Sequence, residues 1–266
     1  MMIFIIVLIA IILIVGFART TYLDKGEIGE RAVGSELKWA NKIGAEGLML
    51  FNVYVPMNNV KTTEIDLLYI TKVGIFVLES KNYKGWIFGT DTNKNWTEVL
   101  YTRKTWTNPR GSEKHSFYNP IMQNNTHINW LRRYLNTSVP MFSLSVFSSD
   151  CEFKALDLSH SPNNVFVCYR RDVSDIIKQC HDDYPTVLSE SQIERIYDKL
   201  LPLTNVDKAK KEQHKQDVWD RKHGLVCPRC GGRLVLRTAN RGNNAGSQFY
   251  GCSNYPKCKF TRNIDN

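Results

Sequence analysis

The chain opens on residues 1–18, which carry no charged side chain and are mostly Ile, Leu, Val, Phe and Met. As a helix, a run of this length spans about 27 Å, close to the roughly 30 Å hydrocarbon core of a bilayer. Nothing polar interrupts any face, which argues against a buried core helix. A cleaved signal peptide is the competing reading, with Gly16-Phe17-Ala18 as a small-x-small site. Against it, no Lys or Arg precedes the apolar run, whereas Arg19, Lys25 and Arg31 follow it. That bias predicts a single transmembrane helix at the N-terminus, a membrane anchor with the rest of the chain in the cytoplasm.

Beyond residue 18 the apolar positions become periodic. Val33, Leu37 and Ala40 form a helical stripe within 25–41. Residues 48–55 read as a strand closed by Pro56. Residues 64–70 and 75–81 read as two strands joined by the turn Thr71-Lys72-Val73-Gly74. Residues 86–99, punctuated by Gly, Asn and Asp, are irregular or a further hairpin. Ile121, Ile128, Leu131 and Leu135 predict a helix over 121–135. Strands are expected at 144–148 and 164–169, and helices at 172–180 and 189–200, capped by Asp172 and Ser189. This order is that of an α/β or α+β body, a mixed sheet flanked by helices, and it contains no internal repeat. Residues 203–223 form a charged linker with some helical character.

Composition adds one asymmetry. Of 35 Lys and Arg, 13 lie from Leu203 onward, against only 5 of 26 Asp and Glu. The body is nearly neutral and the tail basic, which points to an anionic partner for the tail, nucleic acid or anionic lipid. The seven cysteines include four at metal-ligand spacing, with Cys151, Cys168 and Cys180 scattered. An odd total with one clustered set suits a reducing compartment better than a disulfide framework.

The hairpin register carries the candidate chemistry. Pairing Ile70 with Ile75 sets Asp66 opposite Glu79, and alternation places Glu64, Asp66, Glu79 and Lys81 on one face. Carboxylates opposite one another in a sheet repel. Their neighbours Ile65, Leu67, Phe76, Val77 and Leu78 are apolar, so solvent relieves little of that repulsion. A divalent cation would relieve it, and Mg²⁺ characteristically takes one or two carboxylates. Lys81, projecting the same way, could orient a water there, which completes a set suited to phosphodiester cleavage. An ordinary solvated Glu79–Lys81 pair near a strand end is the other reading.

The run Gly26-Glu27-Ile28-Gly29-Glu30, then Glu64-Ile65-Asp66, then Gly74-Ile75-Phe76-Val77-Leu78-Glu79-Ser80-Lys81-Asn82 with Gly85, and later Asn119-Pro120 with Gln123, resembles the NERD (nuclease-related) domain. That domain is placed in the PD-(D/E)xK nuclease superfamily. The resemblance spans residues 25–140 and leaves 141–202 as the remainder of the body. It implies Asp66 and Glu79 as Mg²⁺ ligands, Lys81 as catalytic lysine, Glu30 as a helix-borne acid and Gln123 as a supporting polar residue. Helical geometry agrees on Glu30, which lies about 50° from the centre of the apolar stripe against about 110° for Glu27. Ser80 stands where the family commonly has an apolar residue. His127, four residues after Gln123, has no assigned role and reads as a surface histidine.

In the tail, Cys227-Pro-Arg-Cys230-Gly-Gly offers two thiolates in a turn, and Cys252 and Cys258 supply a second pair. A closed Cys₄ site is the usual structural zinc centre. Some forty residues cannot build a sufficient core alone, so the metal would supply much of the folding free energy. Residues 233–238 and 248–251 read as short strands. From Cys227 to Arg262 the tail resembles the C4 zinc finger of bacterial type IA topoisomerases, which implies single-stranded nucleic-acid binding by a zinc ribbon over 224–262. Arg233, Arg237, Arg241, Lys257 and Lys259 interleave with Phe249, Tyr250, Tyr255 and Phe260, which supplies charge for phosphates and faces for bases. Tyr255 and Phe260 are expected to be the exposed aromatics. Together these features predict a membrane-anchored, Mg²⁺-dependent nuclease whose zinc ribbon binds DNA. The alternative is a non-catalytic nucleic-acid tether on a nuclease-like scaffold.

Overall fold

The computed structural model describes residues 25–57, 61–102, 111–222, 224–230, 232–239 and 246–264. The apolar stretch 1–18 and Arg241 lie outside them. Among the described residues no helix is long and apolar enough to cross a membrane. The chain divides into two compact units, residues 1–205 and 206–266.

The first unit is mixed α/β. Helix α1 (Lys25–Lys42) leads into β1 (Gly47–Pro56), β2 (Thr62–Thr71) and β3 (Gly74–Lys81). These pair antiparallel, and the sheet continues through β7 (Met141–Phe147) and β9 (Val165–Tyr169) in parallel, giving the order β1-β2-β3-β7-β9. The parallel crossover into β7 contains α2 (Pro120–Leu135). Two more helices, α3 (Val173–Asp183) and α4 (Glu190–Leu200), follow β9.

The sheet is apolar on both faces, so each requires helical cover. On one face Val33, Leu37 and Ala40 of α1 and Val173, Ile177 and Cys180 of α3 pack on Leu67, Tyr69, Phe76 and Leu78. On the other, Ile128, Leu131 and Leu135 of α2 and Leu200 of α4 pack on Leu68, Ile70, Ile75 and Val77. Each Val, Leu, Ile or Phe among them, when fully buried, contributes about 1.5–3 kcal/mol.

A second sheet was only partly legible. Strands β4 (Gly85–Thr90) and β5 (Asn95–Tyr101) form the hairpin anticipated as one option for 86–99. Neither β6 (Ser112–Tyr118) nor β8 (Cys151–Asp157) was foreseen, yet they complete the order β6-β5-β4-β8. Strand β6 is solvent-facing and polar, with Glu113, Lys114 and His115 exposed, whereas β8 alternates Cys151 and Phe153, which pack inward, with exposed Glu152 and Lys154. Asp172 also differs from expectation. It makes no side-chain bond into α3 and instead accepts from Tyr169 N–H at 3.3 Å.

In the second unit α5 (Lys208–Lys222) precedes a three-stranded antiparallel sheet of β10 (Leu234–Thr238), β11 (Gln248–Cys252) and β12 (Thr261–Asn263). The helical character expected in the charged linker is realised over 208–222, a helix fastened to the ribbon. Asp220 of α5 is buried and accepts from Arg233 Nε at 2.9 Å.

Candidate active site and zinc centre

The hairpin register places Ile70 opposite Ile75, as the sequence suggested, and pairing runs from Thr71/Gly74 to Leu67/Leu78. There it stops. Asp66 is not paired with Glu79; its Oδ2 instead accepts from Ser80 N–H at 2.8 Å. The cause lies in β1, where Asn52 takes the left-handed conformation at φ 51°. Pairing passes from Phe51/Leu67 to Val53/Ile65, with Asn52 and Asp66 unpaired between them. Alternation slips by one at this point. Val53, Val55 and Ile65 share a face with Leu68 and Ile70, while Phe51 and Leu67 lie on the opposite one.

The slip corrects the expectation that Glu64, Asp66, Glu79 and Lys81 share a face. Glu64 lies across the sheet from Glu79 and accepts from Tyr54 O–H at 2.5 Å. Asp66 sits at the crossing point, between the two faces. Glu30, on the α1 side, is close enough for its charge to act on both Tyr54 and Asp66. Gly29 makes this approach of α1 to the sheet feasible, since a Cβ there would lie 2.9 Å from Ser80 Oγ.

Glu79 and Lys81 end β3 on the α2 side. Lys81 Nζ donates to Glu79 Oε1 at 2.7 Å, with side-chain exposures of only 16% and 4%. This is a buried ion pair, not the solvated one offered as the alternative. Gln123 closes a triangle, donating from Nε2 to Glu79 Oε1 at 2.7 Å and accepting from Lys81 Nζ at 3.1 Å.

His127 corrects the sequence reading. It is buried, not at the surface, with Nε2 3.2 Å from Glu79 Oε2 and Nδ1 2.7 Å from Thr63 Oγ1. The available signal was its place in the α2 stripe, since Asn124, His127, Ile128, Leu131 and Leu135 are all buried on one face. Asn124 was missed as well. Its Nδ2 donates to Val77 O at 2.8 Å and Ser143 Oγ at 3.1 Å, which ties α2 to β3 and β7.

The helix N-terminus is fixed by Asn119. Its Oδ1 accepts from Ile121 N–H at 2.9 Å, and Pro120 occupies the first turn, where no donor is needed. Its Nδ2 donates to Asn93 O at 2.8 Å and Thr90 O at 3.1 Å, binding α2 to the β4–β5 turn.

Electrostatics separate the two acids. Burial, and then the charge of Glu79, hold the Asp66 carboxyl well above the usual carboxylate range. For Glu79, burial also pushes upward, but the Lys81 ammonium and the His127 hydrogen bond outweigh it and bring the group to about 2. For Lys81, burial alone would lower the pKa, yet Glu79 and Asp66 raise it above the ordinary lysine value. Lys81 is therefore a fixed cation at neutral pH, suited to holding charge and poorly suited to removing a proton.

Once Asp66 gives up its proton, it and Glu79 are two carboxylates against the single ammonium of Lys81. That excess of negative charge in a poorly solvated place fits a divalent cation.

In the second unit the sulfurs of Cys227, Cys230, Cys252 and Cys258 all lie within 4.8 Å of one another. Tetrahedral zinc with Zn–S near 2.3 Å sets its sulfurs about 3.8 Å apart. The 3.8 Å Cys227–Cys258 and 3.4 Å Cys230–Cys252 separations match that scale, so the donor set fits a structural zinc.

Of the residues expected to meet nucleic acid, Tyr255 is 61% exposed, and Lys257 and Lys259 are also exposed. Arg237 lies with its guanidinium 5.7 Å from the Tyr255 ring centroid. Gly251 leaves room for it, since a Cβ there would be 2.9 Å from Arg237 Cδ. Phe260 corrects the expectation of exposure. It packs with Leu225 and Tyr250 against Leu234 and the cysteines, because so small a core needs its bulk. Arg233, in its ion pair with Asp220, is committed within the unit.

Comparison with known proteins agrees with this division. The nuclease-related domain family (NERD) matches residues 25–148, and the topoisomerase DNA-binding C4 zinc finger family matches residues 224–266. An uncharacterized protein of Bacillus anthracis is 29% identical over 192 residues, covering 71% of this chain and 82% of that one. DNA topoisomerase 1 of Methanocaldococcus jannaschii is 50% identical over 40 residues, 15% of this chain and 5% of its own. DNA topoisomerase 1 of Helicobacter pylori is 35% identical over 93 residues, 35% of this chain and 11% of its own. No solved structure gave a significant match. The chain therefore carries a nuclease-related domain over residues 25–148 and a topoisomerase-type C4 zinc ribbon over residues 224–266.

Proposed function

We propose that this protein is a Mg²⁺-dependent nuclease of PD-(D/E)xK type, held to the membrane by residues 1–18, whose zinc ribbon retains single-stranded DNA. The reading rests on one observation. Glu79, Lys81 and Gln123 are bonded to one another where β3 ends, and the Asp66 carboxyl on β2 is tied beside them to Ser80 N–H, within a nuclease-related domain.

Asp66 and Glu79 would hold the cation. When bound, it would polarise a phosphate oxygen and make a water more acidic. Lys81, kept protonated by its carboxylates, stabilises negative charge growing on the phosphate and orients the attacking water. Gln123 fixes both Lys81 and Glu79, so the ammonium sits in one place before substrate arrives. Glu30 adds negative charge on the α1 side of Asp66 and strengthens the demand for a cation.

A second reading has an observation in its favour. Glu79 Oε1 is already shared by Lys81 and Gln123, an internally satisfied arrangement compatible with a non-catalytic DNA tether. The full chain incubated with single- and double-stranded DNA and Mg²⁺ separates the two. We expect cleavage that is lost on Asp66→Ala or Lys81→Ala, by about 100-fold or more. Equal cleavage by all three proteins, or none from wild type across conditions, leaves the tether.

A further inference from the structure

We propose that His127 is a positioning residue of the same site, orienting the Glu79 carboxylate through Nε2–H while Thr63 holds the opposite side of the ring. The inference rests on the nuclease reading for its function, but the contact stands on geometry alone.

An ionised carboxylate only accepts hydrogen bonds. At 3.2 Å from Glu79 Oε2, His127 Nε2 must carry the hydrogen between them. In the neutral ring Nδ1 is then an acceptor, which the Thr63 hydroxyl, 2.7 Å away, satisfies by donating. Thr63 is buried and lies on β2, so the chain Thr63–His127–Glu79 spans β2, α2 and β3. Gln123 and His127 are one helical turn apart on α2, and they take different oxygens of the same carboxylate. Gln123 on Oε1 and His127 on Oε2 together fix the carboxylate plane, as paired outer partners fix a metal-binding group. Both ring nitrogens of the buried histidine thus have partners, and the threonine selects which one carries the hydrogen.

The test uses the full chain with its zinc. Selective ¹⁵N-histidine labelling reads which ring nitrogen is protonated, and the resonance that vanishes in His127→Gln identifies His127. Calorimetric Mg²⁺ titration and the Mg²⁺ dependence of DNA cleavage are compared for wild type, His127→Ala, His127→Gln and Thr63→Val. We expect hydrogen on Nε2 in wild type. We expect His127→Ala to weaken Mg²⁺ binding or cleavage by about 10–100-fold, with His127→Gln, which retains a donor, recovering much of the loss. Thr63→Val should give a smaller loss and a mixed protonation pattern.

An unprotonated Nε2 in wild type overturns the proposal, as does an unchanged His127→Ala. So does an equal loss in Ala and Gln variants accompanied by an equal fall in melting temperature, which marks a packing role. A wild type that binds Mg²⁺ with the expected His127 dependence but cuts no DNA removes only the nuclease reading. One that neither binds Mg²⁺ nor cuts removes both.

Discussion

Asp66 is placed where its own ionisation is opposed, by burial and by the neighbouring Glu79 charge. Its folded-state pKa is therefore raised above the unfolded value, and the sign of the consequence is definite. The folded state holds the Asp66 proton more tightly, so ionised Asp66 destabilises the fold at pH values above the raised pKa. The penalty fades as pH falls through that value and is gone below the unfolded value near 3.8. Asp66→Asn keeps an acceptor for Ser80 N–H and removes the charge. We expect it to be more stable than wild type at neutral pH without added divalent cation, by about 0.5–2 kcal/mol. The difference should close in acid, measured by urea denaturation across pH, while cleavage is lost. A variant less stable than wild type at neutral pH would show that the Asp66 charge is already neutralised within the fold.

At the scale of elements, α2 is the structural hub of the site. It supplies Gln123, Asn124 and His127, and its entry angle is set by one residue, Asn119. Asn119→Ala removes an N-cap acceptor together with donors to the β4–β5 turn, and should cost about 1–2 kcal/mol in urea unfolding. Asn119→Ser keeps a capping acceptor and forfeits the amide donors, so it should cost distinctly less if the cap dominates. Strand β2 shows why alternation alone misplaces side chains. Its period of two is correct on each side of Asp66 and wrong across it, because left-handed Asn52 on the neighbouring strand offsets the two halves. The sequence holds the clue, an Asn that tolerates that conformation within an otherwise apolar strand. It does not say which faces the slip connects.

The whole molecule is two compact units with separate sources of stability. The first has two apolar faces covered by helices, while among the described residues of the second the core cluster is Leu234, the cysteines and the neighbours Leu225, Tyr250 and Phe260. Stripping zinc, or Cys252→Ser, should therefore abolish protease protection of residues 206–266 and the retention of single-stranded DNA. The thermal transition of the first unit should remain within a few degrees of wild type. Coincident loss of both transitions would mean the units stabilise each other.

The sequence by itself determined the four cysteine ligands, the strands and helices of the main sheet, and the hairpin register from Thr71/Gly74 to Leu67/Leu78. Each follows from local periodicity or from spacing within a turn. It could not rank the aromatics of the ribbon, because Tyr255 and Phe260 differ only in which one the small core recruits. It also left His127 without a role and set Glu64 on the wrong face. Those outcomes depend on contacts between elements distant in sequence: β1 against β2 at Asn52, and α2 against β2 and β3 at Thr63 and Glu79. Only the tertiary structure decided them, because a side chain's partner across a core is set by how elements pack, and no local period encodes that.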